Sequence, residues 1–135
     1  LNLSINLTGD NIQLKSDISS TIAMVVNELI QNCIKHAFIG RNKGKIMLTV
    51  KKGNPYSTIE VRDDGIGYSK NDIREGSLGH RLVSSMVQDK LYGNLDIKSS
   101  SAGTSVTFEF YNETPRSHVK KHKSTINELL FAADN

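Results

Sequence analysis

Asn27 to Phe38 read NELIQNCIKHAF, a stretch that places a carboxylate, amides, an ammonium and an imidazole on an otherwise amphipathic helix. At about 100° per residue, Glu28, Asn32 and Lys35 fall within roughly 60° of one another, with His36 just beyond them. Ile22, Val26, Leu29, Ile30, Cys33 and Ala37 take the opposite side, as a helix packed on a core requires. The polar edge therefore carries an acid, a neutral oxygen donor and a cation in one cluster. That donor set suits a metal-bound polyphosphate. Cys33 sits on the apolar side and reads as a small buried thiol.

Three further segments carry chemistry. Asp63 to Gly67 (DDGIG) closes a strand with an acid and follows it with Gly-x-Gly, which offers a fixed acceptor beside backbone that a flat ligand can approach. The amino edge of a purine needs such an acceptor, although the same string also makes an ordinary turn. Gly76 to Val83 (GSLGHRLV) runs two glycines into a helix, where unencumbered backbone amides make a phosphate cradle. Gly103-Thr104 opens the last strand and on its own is a hairpin turn.

The elements that position these residues follow from periodicity. Leu3 to Leu7 and Ile12 to Leu14, separated by Gly9-Asp10, read as a short hairpin. Asp17 or Ser19 is expected to cap a long helix from about Ser20 to Phe38, ended by Gly40. Lys45 to Lys51 and Thr58 to Arg62 alternate apolar and polar residues around a Gly53-Asn54-Pro55 turn, predicting an antiparallel pair. Tyr68 to Gly76 is polar, and Leu82, Val83, Met86, Val87 and Leu91 mark a second helix over Leu78 to Leu91, ended by Gly93. Leu95 to Ser99 and Thr104 to Tyr111 alternate again. The expected fold is α+β: a two-layer sandwich whose mostly antiparallel, mixed sheet is covered on one face by helices.

Composition narrows the function. The 135 residues fit one domain, and 37% hydrophobic with 23% charged residues describes a soluble globular chain. No apolar run approaches a membrane span, and Leu1 does not begin a signal peptide; the chain reads as a piece of something longer. The net charge of +3 arises from 17 Lys and Arg mixed with 14 Asp and Glu, with 6% aromatics and no Trp, which argues against nucleic-acid binding. A single cysteine excludes an internal disulfide and fits a reducing compartment. Residues 1–111 are read as the functional domain. From Asn112 a basic linker with His118 and His122 leads to a short amphipathic helix begun by the capping box Thr125-Ile126-Asn127-Glu128.

Taken in order, these four segments resemble the ATP-binding (Bergerat) fold shared by sensor histidine kinases, gyrase, Hsp90 and MutL. NELIQNCIKHAF is similar to the N box, DDGIG to the first glycine box, GSLGHRLV to the second, and GTSVTFEF to the strand that carries the last. The likeness covers nearly all of Ser4 to Tyr111. Within that superfamily the chain resembles the ATPase domain of two-component sensor histidine kinases, in particular the subgroup reading NELxxNxxKHAF and GSLGxRLV. His80 departs from the subgroup's apolar residue and reads as a surface variant.

The resemblance implies roles for single residues. Asn32 matches the asparagine that coordinates Mg²⁺, and Glu28 matches the general base of the ATPase members or a support of the metal's water shell in kinases. Lys35 and His36 match phosphate contacts, and Asp63 matches the adenine-reading acid. Gly65 and Gly67 permit close approach. Leu78 and Gly79 fall in the second glycine box, with Gly79 at the hinge where a lid meets the helix, and Thr104 matches a residue beside the adenine and its bridging water. The lid would lie between Tyr68 and Gly76, with Lys70 and Arg74 as its cations, while Arg41, Lys43 and Lys45 read as surface charges. The implied activity is transfer of the γ-phosphoryl of Mg-ATP to a histidine on an upstream dimerisation domain. His36, His80, His118 and His122 all lie at or after the N box, so the chain is expected to bind ATP without phosphorylating itself. A response regulator, a homodimeric parent and a cytoplasmic setting complete the implication, with no membrane contact by this domain. A stand-alone anti-sigma-factor-type serine kinase, a gyrase- or Hsp90-like ATPase and a degenerate non-binding module are the alternatives.

Overall fold

The computed structural model describes residues 1–67 and 78–113. Its five strands are β1 (Asn2–Gly9), β2 (Lys43–Lys51), β3 (Tyr56–Asp63), β4 (Leu95–Ser100) and β5 (Gly103–Tyr111). Among the described residues there are also two α-helices, α1 (Ser16–Asn32) and α2 (Leu78–Asp89), and a π-helical turn over Cys33–Ala37. The strands form one sheet in the order β1-β2-β3-β5-β4. All neighbours are antiparallel except β1 and β2, which run parallel.

The alternation of each strand decides which face is covered. Ile46 opposes Asp63, Leu48 opposes Val61, and Ile59, Val61 and Ser57 oppose Phe108, Val106 and Phe110, so these residues share one face. The helices pack there, and Val25, Ile46, Val61, Val83, Val87, Phe108 and Phe110 are sealed from solvent. Lys45, Met47, Arg62, Asp96 and Lys98 occupy the other, exposed face. This is the two-layer α+β sandwich with helices on one side that the alternation patterns predict.

Several boundaries differ from the sequence expectation, each for a physical reason. Leu3 to Leu7 is not a hairpin arm: β1 pairs in parallel with β2, Asn2 against Lys43 through Gly9 against Val50. Gly9-Asp10 still turns the chain, but Asp10 docks on β2, its N–H donating to the Val50 carbonyl and its carboxylate accepting from the Lys52 N–H. Ile12 and Leu14 are then side chains of a connecting segment packed on the core. The first helix begins at Ser16 rather than Ser20, with Lys15 at its N-cap and no side-chain cap from Asp17 or Ser19. Its apolar stripe runs back to Ile18, 6% exposed, and burial of that stripe carries the helix past the capping signal. Asp17 lies in the first turn, where a carboxylate complements the helix dipole.

The end of the first helix differs too. Past Asn32 the backbone widens into the π turn Cys33–Ala37 before Phe38 leaves helical geometry. A 100° wheel therefore holds only as far as Asn32, and Lys35 and His36 lag behind the phase assigned to them. Such π turns occur frequently at functional sites. After α2 the left-handed residue is Tyr92, at φ 57°, and not Gly93. The segment expected to form a lid, with Lys70 and Arg74, and the basic linker and tail helix lie outside the described residues.

Candidate functional site

Asp63 ends β3 on the helix-covered face of the sheet and is 3% exposed. A carboxylate so buried requires donors, and three protein groups supply them. Its Oδ1 accepts from the Gly65 N–H at 2.9 Å and from the Thr104 N–H at 3.2 Å. Its Oδ2 accepts from the Cys33 thiol at 3.4 Å. These donors come from the loop after β3, the start of β5 and the head of the π turn. One side chain thus ties together three of the segments singled out by sequence.

The flanking glycines are fixed by close backbone approach. A Cβ on Gly65 would collide with the carbonyl oxygen and Cβ of Ala37, and the following Ile66 N–H donates to that same carbonyl at 2.8 Å. Gly67 has φ +82°, and a Cβ there would strike the Ser100 carbonyl and crowd the Ser99 hydroxyl. The loop 63–67 is consequently pressed between the π turn and the β4–β5 turn. Thr104 is 3% exposed, and its hydroxyl lies 2.8 Å from that of Ser99. Asp64, by contrast, faces outward: it accepts the Lys45 N–H at 2.8 Å, and its carbonyl accepts from the Arg41 guanidinium. The two acids of DDGIG have separate duties, with Asp63 facing the interior and Asp64 clamping the segment 41–45.

Burial and the Asp63 charge both oppose ionisation of Cys33, in that order of weight, and the thiol is pushed up to about 12. It stays protonated at neutral pH and can only donate to Asp63. Sequence reasoning placed Cys33 in the core, where it is 4% exposed, but not beside the acid. Ser99 and the Ala37 carbonyl were likewise missed, because their relevance arises only when distant segments meet.

Glu28 and Asn32 lie one helical turn apart on α1, both half-buried, whereas Lys35 and His36 are exposed on the π turn. Among the described residues Glu28, Asn32 and Lys35 make no hydrogen bond to the Asp63 cluster. Leu78 and Gly79 are the first two residues of α2. The structure therefore joins Asp63, Gly65 and Thr104 by direct bonds, while Asn32 is next in the chain to Cys33, which bonds Asp63. Glu28 with Asn32 supplies one carboxylate and one amide oxygen. That small oxygen set fits Mg²⁺, which takes one or two protein ligands and completes its shell with water and phosphate oxygens.

Comparison with known proteins assigns this arrangement to a family. The model described as histidine kinase-, DNA gyrase B-, and HSP90-like ATPase matches residues 17–114. The sensor histidine kinase PdtaS of Mycobacterium tuberculosis is 32% identical over 108 residues, covering 77% of this chain and 22% of the kinase. The histidine kinase domain of a blue-light-activated histidine kinase from Erythrobacter litoralis superposes with a TM-score of 0.73 at 27% identity, covering 82% of this chain and 52% of that one. A structure of histidine kinase ThkA in complex with the response regulator TrrA shares the fold, with a TM-score of 0.66 at 21% identity over 85% of this chain and 35% of the other. The chain spans about a fifth of the length of the mycobacterial kinase. With the buried acid, its glycine loop and the polar helix all inside the matched span, the chain belongs to the histidine kinase-, DNA gyrase B- and HSP90-like ATPase family, as an ATP-binding domain of the sensor histidine kinase type.

Proposed function

We propose that this domain holds Mg-ATP and presents its γ-phosphoryl to a histidine on a dimerisation domain upstream in the parent protein, leaving ADP. The observation that carries this reading is the Asp63 carboxylate, buried yet anchored by the Gly65 and Thr104 amides and the Cys33 thiol. Such an acceptor reads the exocyclic amine of adenine. Thr104 and its partner Ser99 flank it with hydroxyls for the ring nitrogens and a bridging water. Gly65 and Gly67 hold the loop against Ala37 and Ser100, which fixes the acid's position.

From that end the triphosphate extends along α1 toward Asn32, Lys35 and His36. Asn32 would hold Mg²⁺ and Glu28 would order its water shell; bound there, the ion would supply neutralisation of phosphate charge. Lys35 and His36 contact phosphate oxygens, and the amides at Leu78 and Gly79 face the phosphates from the start of α2. Phosphoryl transfer depends chiefly on position and charge neutralisation, which these groups supply without a covalent step by the protein. We further propose a homodimeric parent, a cytoplasmic position for this domain and a response regulator as the downstream acceptor, as in the assembly that ThkA makes with TrrA. Among the described residues no helix is long and apolar enough to cross a membrane.

The parent protein, incubated with radiolabelled ATP and Mg²⁺, tests this reading. Label on the upstream helices that survives alkali and is lost in acid is expected, because phosphohistidine is acid-labile. Acid-stable label on serine, or release of inorganic phosphate without a labelled protein, would contradict it.

A further inference from the structure

We propose that Cys33 is a positioning residue for purine recognition: its thiol fixes the oxygen of Asp63 that receives the ligand's exocyclic amine. The inference rests on the nucleotide-site reading above and deepens it.

A carboxylate offers about four acceptor positions, two on each oxygen. On Asp63, Oδ1 uses both, one for the Gly65 N–H and one for the Thr104 N–H. The ligand must therefore be read by Oδ2, and the one protein donor that reaches Oδ2 among the described residues is the Cys33 thiol. Two bonds to a single oxygen leave the carboxyl group free to swing about that anchor. A third bond to the other oxygen stops the swing and sets the direction of the remaining lone pair. Cys33 and Asp63 are 4% and 3% exposed, so water does not replace this donor cheaply. The bond is also to a charged acceptor, which strengthens a donor that is weak in neutral pairs. With its ionisation pushed up to about 12, the thiol keeps the proton that the bond requires. Serine would preserve the donor; alanine would remove it and keep most of the volume.

The test compares two nucleotides on three proteins: ATP and purine riboside triphosphate, which lacks only the 6-amino group, on wild type, Cys33→Ala and Cys33→Ser. Affinities are measured by calorimetry with Mg²⁺, alongside thermal unfolding of each protein. Cys33→Ala is expected to weaken ATP about three- to tenfold while changing purine riboside triphosphate less than about twofold, and Cys33→Ser to restore most of the preference for ATP. Equal weakening of both nucleotides, or none, would overturn the inference, since a packing defect does not distinguish a ligand by one amino group. If the alanine variant does not fold, the serine variant decides: retained preference supports the assignment and lost preference overturns it. Wild type that binds neither nucleotide would remove the nucleotide site itself, an outcome distinct from equal weakening in the variant.

Discussion

Asp63 owes its place to the pattern of β3, where Ser57, Ile59, Val61 and Asp63 fall on the helix-covered side. That an acid closes an alternating strand before Gly-x-Gly is visible in the chain itself, and so is the oxygen set of Glu28 and Asn32. What Cys33 touches is not, because its partner is 30 residues away and comes into reach only when β3 lies under the first helix. The thiol makes a prediction at this scale. Cys33 should react with a maleimide or with dithionitrobenzoate at pH 8 only as fast as the protein opens, whereas the denatured chain reacts at once. Prompt labelling of native protein would contradict its burial. The sign of its pH dependence follows from the raised value: folding favours the protonated thiol, so its contribution is complete below the unfolded value near 9.0 and is lost as pH rises toward about 12. Alkaline unfolding monitored by circular dichroism should accordingly be shallower in Cys33→Ser than in wild type.

At the scale of elements, local pattern identified β2, β3, β5 and α2 because each carries its own period. It misassigned β1 because the partner strand is β2, some forty residues on and parallel, while the adjacent Gly-Asp offered a hairpin that the fold does not use. The π turn escaped for a related reason. A wheel drawn at a fixed angle has no place for it, and the widening is stabilised by contacts that Ala37 makes with Gly65 and Ile66. That contact yields a further prediction. Gly65→Ala forces a Cβ against the Ala37 carbonyl, which neither backbone can yield without disturbing the Asp63 loop; a loss of about 1–3 kcal/mol is expected in urea unfolding. Stability equal to wild type would show that the loop and the π turn are not pressed together. Leu29→Ala, on the buried stripe of α1 at 5% exposure, should cost about 2–5 kcal/mol by the same measurement.

In the whole molecule, the five-stranded sheet holds Asp63 and Thr104 at its centre, where β3 and β5 pair, and the first helix that covers it carries Glu28 and Asn32, the two groups proposed above for the adenine and phosphate ends. The last strand ends at Tyr111, and the following Asn112 is tied to the sheet, donating to the Gly53 carbonyl and accepting from Ser57. With residues 1–111 proposed as the functional domain from the composition change at Asn112, a chain ending at Glu113 is expected to unfold at the same temperature as the full chain within a few degrees and to bind ATP equally; a large drop in either would place the tail within the domain. The central claim is that Asp63 and Asn32 mark two ends of one nucleotide site. The most direct measurement is a calorimetric titration of the chain with ATP, with and without Mg²⁺, repeated for Asp63→Asn and Asn32→Ala with their folding checked by circular dichroism. The expected result is that Asp63→Asn abolishes adenine-dependent binding while Asn32→Ala chiefly removes the Mg²⁺ dependence. Unchanged affinity in both variants would contradict the site.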